Sequence, residues 1–345
     1  MDQEQTFINS IDLDCSLAIT SFGEGSYKVY YSPDGCSNNV NIDHFEGFVF
    51  HPFQIGPETP ALYLQASTTF IANDINTVKR FLKSLSADNK PKLDLKNYIY
   101  NQEEYENLLT KVISQISNHL PKVVISRIEE SNSKPDPLDV FQSFCERYPK
   151  NGNYLFYSKE SGLWLGSSPE TLIDVSDGHG YTCALAGTKE THEEWGKKEE
   201  KEQQFVEKYI DEIFHSNNIA FSSEKDTISL KGIDHIKTSY SFKTDDSFSL
   251  KSFLEEIHPT PAVAGIPKSK AIQFIADNEL HSRKYYTGYF GSVSRRETKL
   301  FVNLRCLQTD GTKDHYYLGG GITKESVPNR EYRETVRKKE SISKS

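Results

Sequence analysis

The chain of 345 residues is long enough for one large domain or two ordinary ones, and 36% hydrophobic with 12% aromatic residues makes it globular. A net charge of −9 argues against a general binder of nucleic acid or of anionic membranes, since both need a positive surface. An anionic substrate would then need local cations, from the chain or from a metal.

The first seventy residues alternate like strands at Tyr27–Tyr31, Phe45–Phe50 and Ala61–Leu64, broken by Ser-Pro-Asp-Gly and Pro-x-x-Pro turns. A helix is expected over about 102–119, followed by the β-branched run Lys122–Arg127 as a buried strand. Residues 137–147 read as helix, and Tyr154–Tyr157 and Leu163–Leu165 as strands. From Glu199 to His215 the apolar positions Phe205, Val206, Tyr209, Ile210, Ile213 and Phe214 define an amphipathic helix, with Glu202 on its apolar stripe. The polar segment 216–250 carries one expected strand near 227–231. A helix around 268–280 then precedes strands at Tyr286–Val293, Lys299–Leu307 and His315–Leu318, a glycine turn at Gly319–Gly321, and a closing helix. Without a regular βαβ alternation or an internal repeat, the pattern favours an α+β fold in a single domain over residues 1–345. Five scattered cysteines (Cys15, Cys36, Cys145, Cys183 and Cys306) have no Cys-x-x-Cys spacing, which suits a reducing compartment. The acidic start has no signal-peptide pattern and no window approaches 18 apolar residues, so a cytoplasmic protein is expected.

Four places could carry chemistry. Lys122 opens an apolar strand; it is either a strand-end charge reaching water or, if buried, a usable base. Glu170 closes Gly166-Ser-Ser-Pro-Glu170, an ordinary turn carboxylate unless an apolar pocket keeps it protonated as a general acid. Glu202 and Glu334 sit on amphipathic helices, and Glu331, Glu334 and Lys338 share one face of the last one. Such carboxylates suit Mg²⁺, which takes one or two protein carboxylates together with ligand oxygens and water. The glycines Gly319, Gly320 and Gly321, preceded by Arg305, could let backbone amides and a guanidinium approach an anion. These residues alone point to a Mg²⁺ enzyme acting on a carboxylated small molecule, with a two-carboxylate hydrolase still open.

The ordered blocks Lys122-Val-Val-Ile-Ser-Arg127, Gly166-Ser-Ser-Pro-Glu170, Ala184-Leu-Ala-Gly-Thr188, His258-Pro-Thr-Pro-Ala-Val-Ala-Gly265, Tyr286-Thr-Gly-Tyr-Phe-Gly291, Leu304-Arg-Cys306, Gly319-Gly-Gly-Ile322 and Glu331-Tyr-Arg-Glu-Thr335 resemble the chorismate-binding enzymes. That family includes isochorismate, salicylate, anthranilate and aminodeoxychorismate synthases. The resemblance runs from Lys122 to Lys338; residues 1–100 carry no such signature and form a divergent β-rich part. It implies two stacked, antiparallel-rich sheets wrapped by helices.

Three positions distinguish among the members. Lys122 matches the lysine that activates water, where the amine-adding members carry glutamine. Ala186 stands where aminodeoxychorismate synthase places a nucleophilic lysine. His258-Pro-Thr-Pro-Ala262 replaces the Thr-His-Pro-Ala-Gly run of anthranilate synthases. The resemblance therefore implies conversion of chorismate to isochorismate, for menaquinone or a catecholate siderophore, with a salicylate synthase or a non-catalytic chorismate binder as alternatives. Lys122 would be the general base and Glu170 the general acid. Mg²⁺ would be held by Glu202 and Glu334, with Glu331 and Glu199 as further or alternative ligands. Arg305, Tyr286, Lys338 and the Gly319, Gly320 and Gly321 amides would hold the enolpyruvyl carboxylate. Gly187 and Thr188 would line the ring, with His258 near its hydroxyl. Glu202 is followed by Gln203 where many members have histidine. A monomer is expected, without a glutamine amidotransferase subunit.

Overall fold

The N-terminal alternation forms the strands β1 (Ser16–Ser21), β2 (Tyr27–Ser32), β3 (Gly47–His51), β4 (Leu62–Leu64) and β5 (Thr68–Ala72) in a computed structural model. The model describes residues 11–343, apart from 24, 86–92, 94, 133–135, 193, 231–232 and 246. Two helices follow, α1 (Ile75–Ser84) and α2 (Gln102–Gln115). The start of α2 is set by a capping box, in which Asn101 accepts from the Glu104 amide and Glu104 accepts from the Asn101 amide. Strand β6 (Lys122–Asn132) runs five residues past the expected apolar block. Helix α3 (Pro137–Arg147) begins with Asp136 as cap and proline in the first turn, the position where a missing N–H costs nothing.

The central strands are β7 (Gly152–Ser158), β8 (Gly162–Ser168), β9 (Thr171–Ser176) and β10 (His179–Glu190), followed by the long helix α4 (Lys197–Ser216). Beyond it lie β11 (Phe221–Leu230), β12 (Ile233–Lys243), α5 (Leu250–Ile257), β13 (Gly265–Ile266) and α6 (Lys268–Asn278). The last elements are β14 (Tyr289–Val293), β15 (Glu297–Val302), β16 (Cys306–Thr309), β17 (Lys313–Ile322) and α7 (Pro328–Ser343).

Among the described residues the strands form two sheets. One is ordered β13-β6-β17-β16-β8-β7-β1-β2-β5 and the other β11-β12-β10-β9-β15-β14-β3-β4, with antiparallel pairing throughout. The α+β expectation holds, and the N-terminal strands are divided between both sheets. Aromatic side chains join the sheets: Phe50 of β3 lies 4.7 Å from Phe156 of β7 and 5.5 Å from Tyr154, and Tyr154 lies 4.2 Å from Phe290 of β14. Offset and tilted aromatic contacts of this kind fill a sheet-to-sheet core. No helix among the described residues is long and apolar enough to cross a membrane.

Four local expectations are corrected. The single strand near 227–231 is a long hairpin, because Ile236, Tyr240 and Phe242 alternate with polar residues and bury one face of β12. The single strand at Lys299–Leu307 is two, β15 in one sheet and β16 in the other, with the chain crossing between them at 303–305. Gly319, Gly320 and Gly321 form no turn; they lie within β17, paired with Ser126, Ile125 and Val124. Strand β8 likewise continues to Ser168, so only Pro169 separates it from Glu170. In the last two cases side-chain-poor residues extend a strand past a point that composition reads as a break.

Candidate active site

The two sheets, α4 and α7 line a cleft with about 940 Å³ of free space, open solvent at its mouth included. Its walls include Glu170, Ala186, Lys198, Glu199, Glu202, His235, Tyr286, Arg305, Gly319, Gly320, Gly321, Glu334 and Lys338. Most residues singled out in the sequence thus converge on one place.

Lys122 lies against this cavity. It begins β6, is 1% exposed, and its Nζ is 3.4 Å from Glu202 Oε2. The strand-end reading fails because β13 pairs with β6 and covers that end, with Ile266 opposite Lys122. Gly321 makes the approach possible. A Cβ there would lie 2.6 Å from Glu202 Oε2 and 2.9 Å from Lys122 Cε, so any side chain would push the pair apart. Gly319 does the same for Tyr286, whose hydroxyl would be 2.9 Å from an added Cβ.

Glu170 is 1% exposed, and its Oε1 has no hydrogen-bond partner. Burial pushes its carboxyl up to about 8 despite the opposing charge of Lys122, so it is protonated near neutral pH. Arg305, half-buried in the cavity wall, has an inaccessible Nη1 with no partner, while Nη2 lies 3.3 Å from His235 Nε2. A guanidinium whose inaccessible Nη1 has no partner is a receptor for an anion, since leaving it unmatched is costly.

The carboxylates are interleaved with lysines. Lys198 Nζ donates to Glu331 Oε1 at 2.7 Å and lies 3.6 Å from Glu202 Oε1. Lys338 Nζ is 2.7 Å from Glu334 Oε1 and donates to the Gly319 carbonyl at 2.8 Å. Burial works against the charge on Lys198, but Glu202, Glu331 and Glu334 outweigh it and raise its pKa above the ordinary lysine value. For Glu331 burial dominates over Lys198 and raises the carboxyl, whereas for Glu334 the charges of Lys338 and Lys198 outweigh burial and lower it. An added Cβ on Gly320 would lie 3.6 Å from Glu331 Oε2 and 3.9 Å from Glu334 Oε1, so both carboxylates reach one spot. Their oxygens fit a hard divalent cation in chemistry. Among the described residues, no group of three histidine, cysteine or acidic side chains is gathered closely enough to hold one as it stands.

Some expected residues lie elsewhere. His258 is not on the cavity wall. Its ring packs 5.0 Å from Tyr289 and 5.5 Å from His51, behind the end of α5, and burial lowers its pKa well below the usual histidine value. Gly187 sits behind the wall, where an added Cβ would lie 2.8 Å from the Glu199 carbonyl. Thr188 pairs with His235 through its backbone, and its side chain lies outside the described residues. Glu331 is not on the cavity wall itself, although its Oε2 reaches the same spot beside Gly320 as Glu334, and Lys198 ties it to the cluster.

Two wall residues escaped the sequence reading. Lys198 was hidden in a charge run that resembles a solvated face, yet it lies one turn before Glu202 on the same stripe. His235 sits in the segment taken as polar and irregular. Burial, then the charges of Arg305 and Lys338, push it down to about 3, so it is neutral and able to accept a hydrogen bond.

This cavity, with a protonated acid, an open guanidinium and a buried lysine behind its wall, belongs to an enzyme-like small-molecule site. A family model described as chorismate binding enzyme matches residues 59–345, and the chain belongs to that family. It is 30% identical to isochorismate synthase MenF of Escherichia coli (strain K12) over 66% of this chain and 56% of that protein. It is 26% identical to anthranilate synthase component 1 of Aeropyrum pernix over 71% of this chain and 60% of that protein. The chain thus spans little more than half the length of these curated relatives. Among solved structures, MenF from Escherichia coli superposes with a TM-score of 0.76 at 19% identity, covering 99% of this chain and 90% of that one. A putative 2,3-dihydroxybenzoate-specific isochorismate synthase, DhbC from Bacillus anthracis, gives 0.75 at 17% identity, covering 98% of each chain. These superpositions bear on the fold, which is the expected one.

Proposed function

We propose that this protein converts chorismate to isochorismate. The observation that carries the reading is one cavity that presents the protonated Glu170 and the open Arg305 guanidinium, with the buried Lys122 directly behind its wall at Glu202 and Gly321. In this reading Lys122 takes a proton from water as its oxygen bonds to ring carbon C2. The double bonds shift, the C4–O bond breaks, and Glu170 gives its proton to the departing hydroxyl. One water enters and one leaves, so product and substrate are isomers. Arg305, Tyr286 and Lys338 would hold the enolpyruvyl carboxylate, and the neutral His235 would steady the Arg305 guanidinium by accepting from its Nη2. Lysine at 122, in place of the glutamine of the amine-adding members, and Ala186 at the wall favour water over ammonia or a covalent lysine intermediate.

Glu202 and Glu334, with Glu331 beside Glu334, would hold Mg²⁺, as the oxygen-only donor set suits. The bound ion would supply positive charge for the ring carboxylate in a chain whose overall charge repels anions. The MenF relative, described as menaquinone-specific, supports menaquinone assembly as the use of the product, with a catecholate siderophore as the alternative.

The test is incubation of metal-stripped protein with chorismate, with and without added Mg²⁺, and chromatographic separation of products. Isochorismate alone, formed only with Mg²⁺, is the expected result. Salicylate with pyruvate would make the protein a salicylate synthase, and no turnover under either condition would leave a chorismate-binding protein.

A further inference from the structure

We propose that Asn303, which does not line the cavity, is a positioning residue that fixes the Arg305 guanidinium and the Tyr286–Thr287 wall at the point where the chain crosses between sheets. The inference rests on the reading that Arg305 holds a substrate carboxylate. Strand β15 ends at Val302 in one sheet and β16 begins at Cys306 in the other, so residues 303–305 carry the whole crossover. Asn303 is fully buried there, and every face of it is engaged. Its Oδ1 accepts from the Tyr154 hydroxyl at 2.9 Å, and its Nδ2 donates to the Tyr285 carbonyl at 2.9 Å. Its backbone carbonyl accepts from the Thr287 amide at 2.8 Å, and its amide donates to the Gly288 carbonyl at 2.7 Å.

These four bonds join two segments that would not hold their shape alone. Arg305 has φ of 48°, Thr287 has φ of 60° and Lys284 has φ of 49°, all in the left-handed region that residues with a Cβ avoid. Thr287 is β-branched, for which that conformation is least favourable. Strained residues of this kind persist only where their surroundings over-determine them. Among the described residues, Asn303 is the one side chain bonded to the 285–288 turn and to β7 at once, and it precedes Arg305 by two residues. Without it, relaxation of either segment would swing Arg305, Tyr286 and Thr287 together, because all three line the same wall.

The test compares Asn303→Ala, Tyr154→Phe and the double variant in the full chain. Each is followed by steady-state kinetics with chorismate, thermal unfolding, and amide hydrogen exchange. For Asn303→Ala we expect KM to rise on the order of 10-fold with kcat changed by less than about threefold, the pattern of a lost binding geometry. Amides of residues 285–288 and 303–306 should exchange faster, with those of β6 and β17 unchanged. Tyr154→Phe should raise KM less, and adding it to Asn303→Ala should add nothing, since both act through one hydrogen bond. If Asn303→Ala does not fold, Tyr154→Phe carries the test through the same KM and exchange readouts. The proposal is overturned if KM stays within about twofold of the wild type, or if all losses follow the fraction of folded protein. Should the wild-type chain fail to turn over chorismate, the functional reading fails; unchanged exchange at 285–288 and 303–306 would sink the clamp independently.

Discussion

Lys122→Ala is expected to lower kcat for chorismate by on the order of 10²–10⁴-fold, the usual contribution of a positioned general base. The residual rate should stem from the binding groups, since Glu170, Arg305 and Tyr286 are untouched. The substitution also removes one of the two lysines beside Glu202, the other being Lys198 at 3.6 Å. Deleting one member of a buried ion pair is ordinarily destabilising, because the remaining charge is left without compensation. Here Lys198 keeps that penalty partial, so a modest drop in the unfolding midpoint should accompany the catalytic loss. Chorismate affinity, measured by equilibrium binding, should change far less than kcat. A variant with near-native kcat would remove Lys122 from the base role.

Glu170→Gln should abolish turnover and at the same time stabilise the fold. The carboxyl of Glu170 is held up to about 8 by burial, against an ordinary value of 4.5. Between those values the folded chain keeps a proton that the unfolded chain has released. Wild-type stability therefore falls as pH rises through that window and levels off above it. Glutamine has no proton to take up, so the stability difference in its favour should grow from about pH 4.5 to about pH 8, reaching up to about 3 kcal/mol near neutrality. Unfolding midpoints of both proteins across that range check the sign directly. Parallel curves would mean that Glu170 is not kept protonated by the fold. In the wild type the same titration should appear as a fall in kcat above about pH 8, when the acid form is lost.

Local pattern carried much of this architecture. The apolar stripe of α4 announced the helix and placed Glu202 on its buried side, and the β-branched run from Lys122 announced β6. What pattern could not supply was the third dimension around them. Lys122 is buried because β13, a two-residue strand from a loop 143 positions later, closes over it. The glycines at 319–321 read as a turn because short-range rules equate glycine runs with turns. Their reason is long-range: Tyr286, Glu202 and Lys122 occupy the space that their side chains would fill. The strand that carries His235 is legible, since Ile236, Thr238, Tyr240 and Phe242 alternate as a half-buried strand should, but that period puts His235 on the opposite face and does not show that a cavity lies there. His258 was placed by resemblance alone, and nothing in its local sequence shows that its ring turns toward Tyr289. Lys198 is the hardest case, a cation inside a charge run whose partners Glu331 and Glu334 lie over a hundred residues away.

The central claim is that water, activated beside Lys122, becomes the new ring hydroxyl. Turnover of chorismate in ¹⁸O-labelled water, with mass analysis of the isochorismate formed at low conversion, tests it most directly. One labelled oxygen per product molecule, located at C2, is the predicted result. Isochorismate that carries no label would mean that the hydroxyl migrates without exchange, and would contradict the assignment of Lys122 as the base acting on water.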